Sequence, residues 1–153
     1  MQLNALATAG ATPDERAPFV KELKANQNPD GSWSQVPQGP DDAYATGETL
    51  YALHVSGGVP TQDPVYQKGV QWLLHNQLAD GSWFVPAKTT PVQPHIDTGY
   101  PNGPNQFASA GGSNWATMAL LFTLPDRTVA KPAASVGRNK PSRQEPAVLA
   151  TVR

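Results

Sequence analysis

One seven-residue signature occurs twice, fifty positions apart: Gln27-Asn28-Pro29-Asp30-Gly31-Ser32-Trp33 and Gln77-Leu78-Ala79-Asp80-Gly81-Ser82-Trp83. The correspondence extends upstream, where Gly10-Ala11-Thr12-Pro13-Asp14 echoes Gly58-Val59-Pro60-Thr61-Gln62-Asp63, and Val20 and Leu23 stand fifty before Val70 and Leu73. A period of this length requires stacked supersecondary units, because one unit cannot bury its apolar face alone.

The spacing of apolar residues makes those units helical. In the second, Asp63 can cap a helix and Pro64 suits its first turn. Tyr66, Val70, Leu73, Leu74 and Gln77 then share one face of a 3.6-residue period, and Asp80-Gly81 ends the segment. In the first, Phe19, Val20 and Leu23 share a face and Asp30-Gly31 is the stop. A second type of helix alternates with these. Asp42 can cap Ala43 to about Val55, with Ala43, Gly47, Leu50, Tyr51 and His54 on one face and Gly57-Gly58 as its end. Ser113 can cap a helix from Asn114 to Leu124 whose residues Trp115, Met118, Leu120, Leu121 and Phe122 are apolar nearly all round, a pattern expected of an element buried on every side. Alternating strand patterns are absent. The expected fold is all-α, built from antiparallel helix hairpins in the order outer helix, turn, inner helix. Leu3 to Ala9 matches the end of an inner helix, so the chain is expected to begin partway through a repeat.

The two long Gln-to-Trp signatures, with Thr46-Gly47-Glu48-Thr49-Leu50-Tyr51-Ala52-Leu53 and Val70-Gln71-Trp72-Leu73-Leu74, resemble the terpenoid cyclase and protein prenyltransferase superfamily, whose α/α toroids carry glutamine-tryptophan repeats. The resemblance covers residues 3 to 124 and is specific, since both copies sit in helical context. It implies an incomplete toroid of two to three hairpins, with repeats at about 1–49 and 50–124, forming the C-terminal piece of a longer bacterial protein. It also implies that Gln27, Asp30, Gly31 and Trp33, and again Gln77, Asp80, Gly81 and Trp83, tie neighbouring hairpins together, each Gln bonding backbone of the next unit and each Trp covering a helix end.

Composition narrows the function classes. Only 15% of the 153 residues are charged and the net charge is −1, which gives no general affinity for nucleic acid. With no cysteine there are neither disulfides nor thiolate metal sites, and the compartment stays open. No apolar run approaches the roughly 20 residues that span a bilayer, and Met1 to Gly10 lacks the basic start and long apolar stretch of a signal peptide. Residues 125–153 hold six basic and two acidic side chains, +4, against −5 for the rest. Rich in Pro, Ala and Ser and without aromatics, this tail is expected to be disordered.

The inner helices and the long connection from Phe84 to Gly112 carry the candidate chemistry. Cyclases of the resembled family protonate a polyene with the middle Asp of a DxDD motif. The matching stretch here is Asp42-Ala43-Tyr44-Ala45-Thr46, in which Tyr44 stands at the donor position. A phenol with a pKa of about 10 is far too weak an acid for an alkene. Asp41 and Asp42 are neighbours on a helix start, where side chains diverge by about 100°, and Asp42 reads as a cap. The prenyltransferase zinc set needs Cys, and the thioester Cys-Gly-Glu-Gln run is missing. His54 lies on the inner-helix face, and His75 sits near a helix C-terminus, where a cation suits the dipole. No His spacing points to a metal, and no catalytic residue, metal or cofactor is expected. In the connection, His95 and Asp97 face one side of an extended chain among Pro91, Pro94, Pro101 and Pro104. Tyr44, Tyr51, His54, His95, Asp97, Phe107 and Trp115 are the ligand-binding candidates. Three functions fit: a non-catalytic toroid module binding an apolar ligand or protein partner, a fragment of a squalene-hopene-type cyclase whose acid lies on other repeats, or a carbohydrate-acting α/α barrel using Asp41, Asp42, Asp97 and His95. The expected partners are further repeats of a longer chain, another protein, or an apolar small molecule.

Overall fold

The computed structural model describes residues 2–36, 39–88 and 96–125. His95, with Pro91 and Pro94, and the tail beyond Pro125 lie outside them, so the expectations placed there find no structural counterpart. Among the described residues every regular element is helical, and the only strand-like feature is one isolated bridge between Ser34 and Asp41. The elements are α1 (Gln2–Thr8), α2 (Pro13–Ala25), α3 (Ala43–Tyr51) continued by a π-helical turn (Ala52–Ser56), α4 (Pro64–His75), a 3-10 turn (Gly103–Asn105) and α5 (Gln106–Leu121).

Caps define the helix starts. Thr12 and Glu15 form a reciprocal capping box at α2, Asp42 accepts from the Ala45 amide at α3, and Asp63 accepts from the Val65 amide at α4. The π-helical turn follows from a bond between the Gly57 amide and the Ala52 carbonyl, five residues back.

The packing is that of an incomplete α/α toroid. Helix α4 runs antiparallel to α3, since His54 stacks near Tyr66 while Leu50 meets Gly69. Helices α3 and α5 run parallel, because Gly111 and Gly112 face Tyr44, Gly47 faces Trp115 and Ala116, and Tyr51 reaches Phe122. This inner pair forms the centre of the core with Leu50, Leu53, Tyr66, Leu73, Ala116 and Ala119, and both signature tryptophans close its end. The Tyr66 hydroxyl donates to the Ala119 carbonyl at 2.8 Å, joining outer helix to inner helix. Burial pushes that phenol up to about 12, so it stays a donor at any ordinary pH.

Two expectations are corrected. Helix α5 begins at Gln106, seven residues before Ser113, which lies inside it and contributes its hydroxyl elsewhere. The run Ala-Ser-Ala-Gly-Gly carries poor helix propensity and reads as loop. Those small residues are what admit α5 against α3 at close range, and packing overrides propensity. Nor is α5 buried all round: Leu121 is 56% exposed and Phe122 37%. Likewise Leu74 is half exposed and Gln77 is exposed, so only Tyr66, Val70 and Leu73 of the α4 stripe reach the core.

A side chain at the inner-helix contact should be costly. A Cβ at Gly47 would stand 2.5 Å from the Ala116 nitrogen. Gly47→Ala is therefore expected to destabilise by about 1–3 kcal/mol, the usual effect of overpacking. Thermal unfolding measures this, with Gly10→Ala inappropriate as a control because Gly10 has positive φ and Asn114→Ala, on an exposed turn of α5, suitable.

Candidate functional site

Each signature folds into the same clasp. Asp30 accepts from the Ser32 amide at 3.0 Å and the Ser32 hydroxyl at 2.6 Å, and Asp80 does the same with Ser82 at 2.9 and 2.7 Å. Gly31 and Gly81 supply the left-handed turn, at φ of 100° and 85°. The Trp33 indole then donates to the Leu23 carbonyl at 2.8 Å and the Trp83 indole to the Leu73 carbonyl at 2.7 Å, each a carbonyl in the last turn of α2 or α4. The backbone amides of the two tryptophans bond the hydroxyls of Thr46 and Ser113, both at 3.0 Å. Each clasp thus links an outer helix end to an inner helix.

The clasps differ in their outward bonds. Gln27 Nε2 bridges the Gly31 carbonyl at 3.0 Å and the Val65 carbonyl of the next outer helix at 2.8 Å. Gln77 Nε2 bonds only its own turn at Gly81 among the described residues. Burial raises the Asp30 carboxyl, but the bonds from Ser32 and Trp72 outweigh it and hold the group below the usual range. Asp80 is held low by Ser82. Asp63 is lowered chiefly by its bond from Lys24, at 2.6 Å.

Four of the ligand-binding candidates come together. Tyr44, Tyr51, His54 and Trp115 form a strip along the α3–α5 seam, continued by Phe122. Centroids lie 6.3 Å apart for Tyr44–Trp115, 5.3 Å for Tyr51–Trp115, 5.8 Å for Tyr51–Phe122 and 4.6 Å for His54–Phe122, mostly edge-on or tilted. All four candidates are half-buried, so ring surface remains accessible. His54 Nδ1 lies 2.9 Å from the Val59 carbonyl, which places the proton on that nitrogen.

The other candidates fall elsewhere. Phe107 points outward at 65% exposure. Asp97 is exposed and accepts from the Gly99 amide, a local turn bond. The connection is held instead by buried Gln106, which takes the Thr98 amide and donates to the Ile96 carbonyl. Asp42 is buried with its oxygens committed: Ala45 amide at 2.8 Å, Gln35 amide at 2.7 Å and Lys88 ammonium at 3.3 Å. Asp41 is exposed.

One residue escaped sequence reasoning. Glu48 lies a turn from both Tyr44 and Tyr51 and lines a cavity of about 340 Å³ with Ser34, Gln35, Tyr44 and Thr49. Burial raises its carboxyl above the ordinary glutamate value. The signal was available: Glu48 is the one charged residue between Asp42 and His54 in a helix otherwise made of small, apolar and hydroxyl residues.

Residues 2–137 fit the model of the squalene-hopene cyclase C-terminal domain. The chain belongs to that family. Among similar proteins are lanosterol synthase ERG7 of Saccharomyces cerevisiae, 29% identical over 72% of this chain and 14% of its own length. A probable squalene-hopene cyclase of Sinorhizobium fredii is 31% identical over 78% of this chain and 17% of its own. The squalene-hopene cyclase of Bradyrhizobium diazoefficiens is 32% identical over 76% of this chain and 16% of its own. The chain therefore spans about a sixth of the length of these cyclases. No solved structure matches it significantly.

Two outcomes are expected. Trp33→Ala and Trp83→Ala should each cost about 3–5 kcal/mol, as for buried aromatics elsewhere, measured by denaturant unfolding. Glu48→Gln should raise the melting temperature at neutral pH. A carboxyl whose folded pKa is raised binds protons more readily folded than unfolded, so it weakens the fold above that pKa and ceases to do so below the unfolded value. The gain should accordingly shrink as pH falls through the carboxylate range.

Proposed function

We propose that this chain is a non-catalytic toroid module, residues 1–124 forming its repeat domain, which supplies an aromatic wall for an apolar, isoprenoid-like ligand within a longer cyclase-like protein. The observation that carries the reading is the contiguous strip Tyr44–Trp115–Tyr51–Phe122–His54 on the seam of two parallel inner helices. Half-buried rings with accessible surface bind hydrocarbon by area and polarisability, and stabilise positive charge by the ring quadrupole. The relatives named for squalene-hopene cyclisation and lanosterol synthesis act on such ligands by name, which supports the same ligand class here.

The absence of catalysis rests on the acids within reach of the strip. Protonating an alkene needs a carboxylic acid stronger than usual. Asp42 is spent on a helix cap, an amide and an ammonium. Glu48 holds its proton more tightly than an ordinary glutamic acid, the opposite of the requirement. The second reading, a fragment of a cyclase whose acid comes from other repeats, keeps the same aromatic wall and differs only in what faces it. The carbohydrate reading loses its support, since Asp42 is committed and Asp97 serves a turn.

The test is saturable quenching of tryptophan fluorescence by squalene delivered in detergent micelles. Binding should weaken at least about tenfold in Trp115→Ala, the loss expected for removing 1.4 kcal/mol or more of aromatic contact. Phe107→Ala should leave it unchanged. Squalene recovered as a cyclised product after incubation with the chain would overturn the non-catalytic reading, and quenching that never saturates would overturn the ligand.

A further inference from the structure

Glu48 is the one charged residue on the wall of its cavity of about 340 Å³, and a purely hydrocarbon ligand would leave it unused. The side chain is half-buried and has neither a hydrogen bond nor an ion pair among the described residues. Burial without a partner disfavours the charged form of a carboxyl, and a cation placed beside it reverses that cost.

The polar neighbours of Glu48 offer oxygen. Ser34 spends its hydroxyl proton on the Gly39 carbonyl at 2.8 Å, and Gln35 turns its amide nitrogen to Asp42 at 2.7 Å. Each keeps an oxygen that can accept. Thr49, on the same wall, is only 7% exposed, and its hydroxyl has no partner among the described residues. A buried hydroxyl left this way is a vacant position for a hydrogen bond. No lysine or arginine lines the cavity, and the Lys88 ammonium is held on Asp42 at 3.3 Å.

Aromatic rings complete the surroundings. Tyr44 stands four residues before Glu48 and Tyr51 three after it, so on α3 the three side chains are neighbours, with Cβ atoms about 5–6 Å apart. Both tyrosines belong to the aromatic strip and meet Trp115. A carboxylate, oxygen acceptors and ring quadrupoles all favour the same kind of group, a cation that carries several N–H donors. An anion would be repelled by Glu48, and a neutral hydroxyl would leave its charge uncompensated.

We propose that the Glu48 cavity takes a primary ammonium group at the end of an apolar chain, with Glu48 as its counter-ion. Ser34, Gln35 and Thr49 accept its hydrogen bonds, and Tyr44 and Tyr51 flank the charge. The inference rests on the aromatic strip as a wall for an apolar ligand, and it adds a cationic head group to that ligand.

Geranylamine and geraniol share one chain and differ in head group, so comparing them isolates the charge. Titrated into the full chain at neutral pH and followed by tryptophan fluorescence, geranylamine should bind at least about tenfold more tightly than geraniol, in keeping with a charge-assisted pair at a partly desolvated site. Glu48→Gln removes the charge and keeps the shape, and it should bring the two affinities together. Trp115→Ala should weaken both ligands. Equal affinities in the unaltered protein would overturn the proposal, as would a preference for the amine that survives Glu48→Gln. Saturable squalene and geraniol binding without any preference for the amine would overturn the cationic head group and leave the aromatic wall standing. Amine binding that Glu48→Gln abolishes, beside no binding of squalene or geraniol, would support the cation site and sink the wall.

Discussion

The bond from a tryptophan indole to the last-turn carbonyl of an outer helix sets the rest of this structure. The last turn of a helix leaves carbonyls with spare hydrogen-bonding capacity, and at Leu23 and Leu73 they fall where core side chains would otherwise surround them. The indole answers the carbonyl and fills the space beside it. Its own backbone amide is then fixed at an inner-helix hydroxyl, Thr46 or Ser113. One residue therefore joins the end of an outer helix to the flank of the inner one. The Asp-Gly-Ser turn before it exists to bring the ring back over the helix it has just left.

The inner pair obeys a different constraint, that of close approach. Gly47 and Gly112 leave room for backbone against side chain and backbone, and the larger rings of Tyr44, Tyr51 and Trp115 are displaced to the rim of the seam. Small residues in the contact and aromatic residues beside it are one arrangement. The aromatic strip is thus a consequence of how tightly α3 and α5 meet, and its half-buried rings are held by packing. Polar groups near the strip are consumed in structure: Asp42 caps a helix and holds Lys88, and Gln106 secures the connection.

Family membership and this geometry meet at the level of the module. The matched cyclases are about five times as long as this chain, and an arc of hairpins lines only part of any ring. This arc holds an aromatic seam and two clasps, the first of them engaged by the following helix.

The all-helical character was legible because period and stop signals agree: Asp63-Pro64 starts α4, Tyr66, Val70 and Leu73 face inward, and Asp42 caps α3. The start of α5 was not legible, since Ala108 to Gly112 is weak helix former by composition and becomes helical only against α3. Tyr44, Tyr51, His54 and Trp115 were visible as aromatic positions on two inner segments, and the parallel register that brings them together was not. Glu48 was hidden for the same reason, because its chemistry comes from burial. Sequence by itself determined the turn of the repeated clasp, since its Asp–Ser bonds and the indole bonds to Leu23 and Leu73 span ten residues or fewer. Only the tertiary structure decided which rings share a seam and which carboxylates are spent, because those depend on residues about 50 to 70 positions apart meeting through glycine-sized gaps.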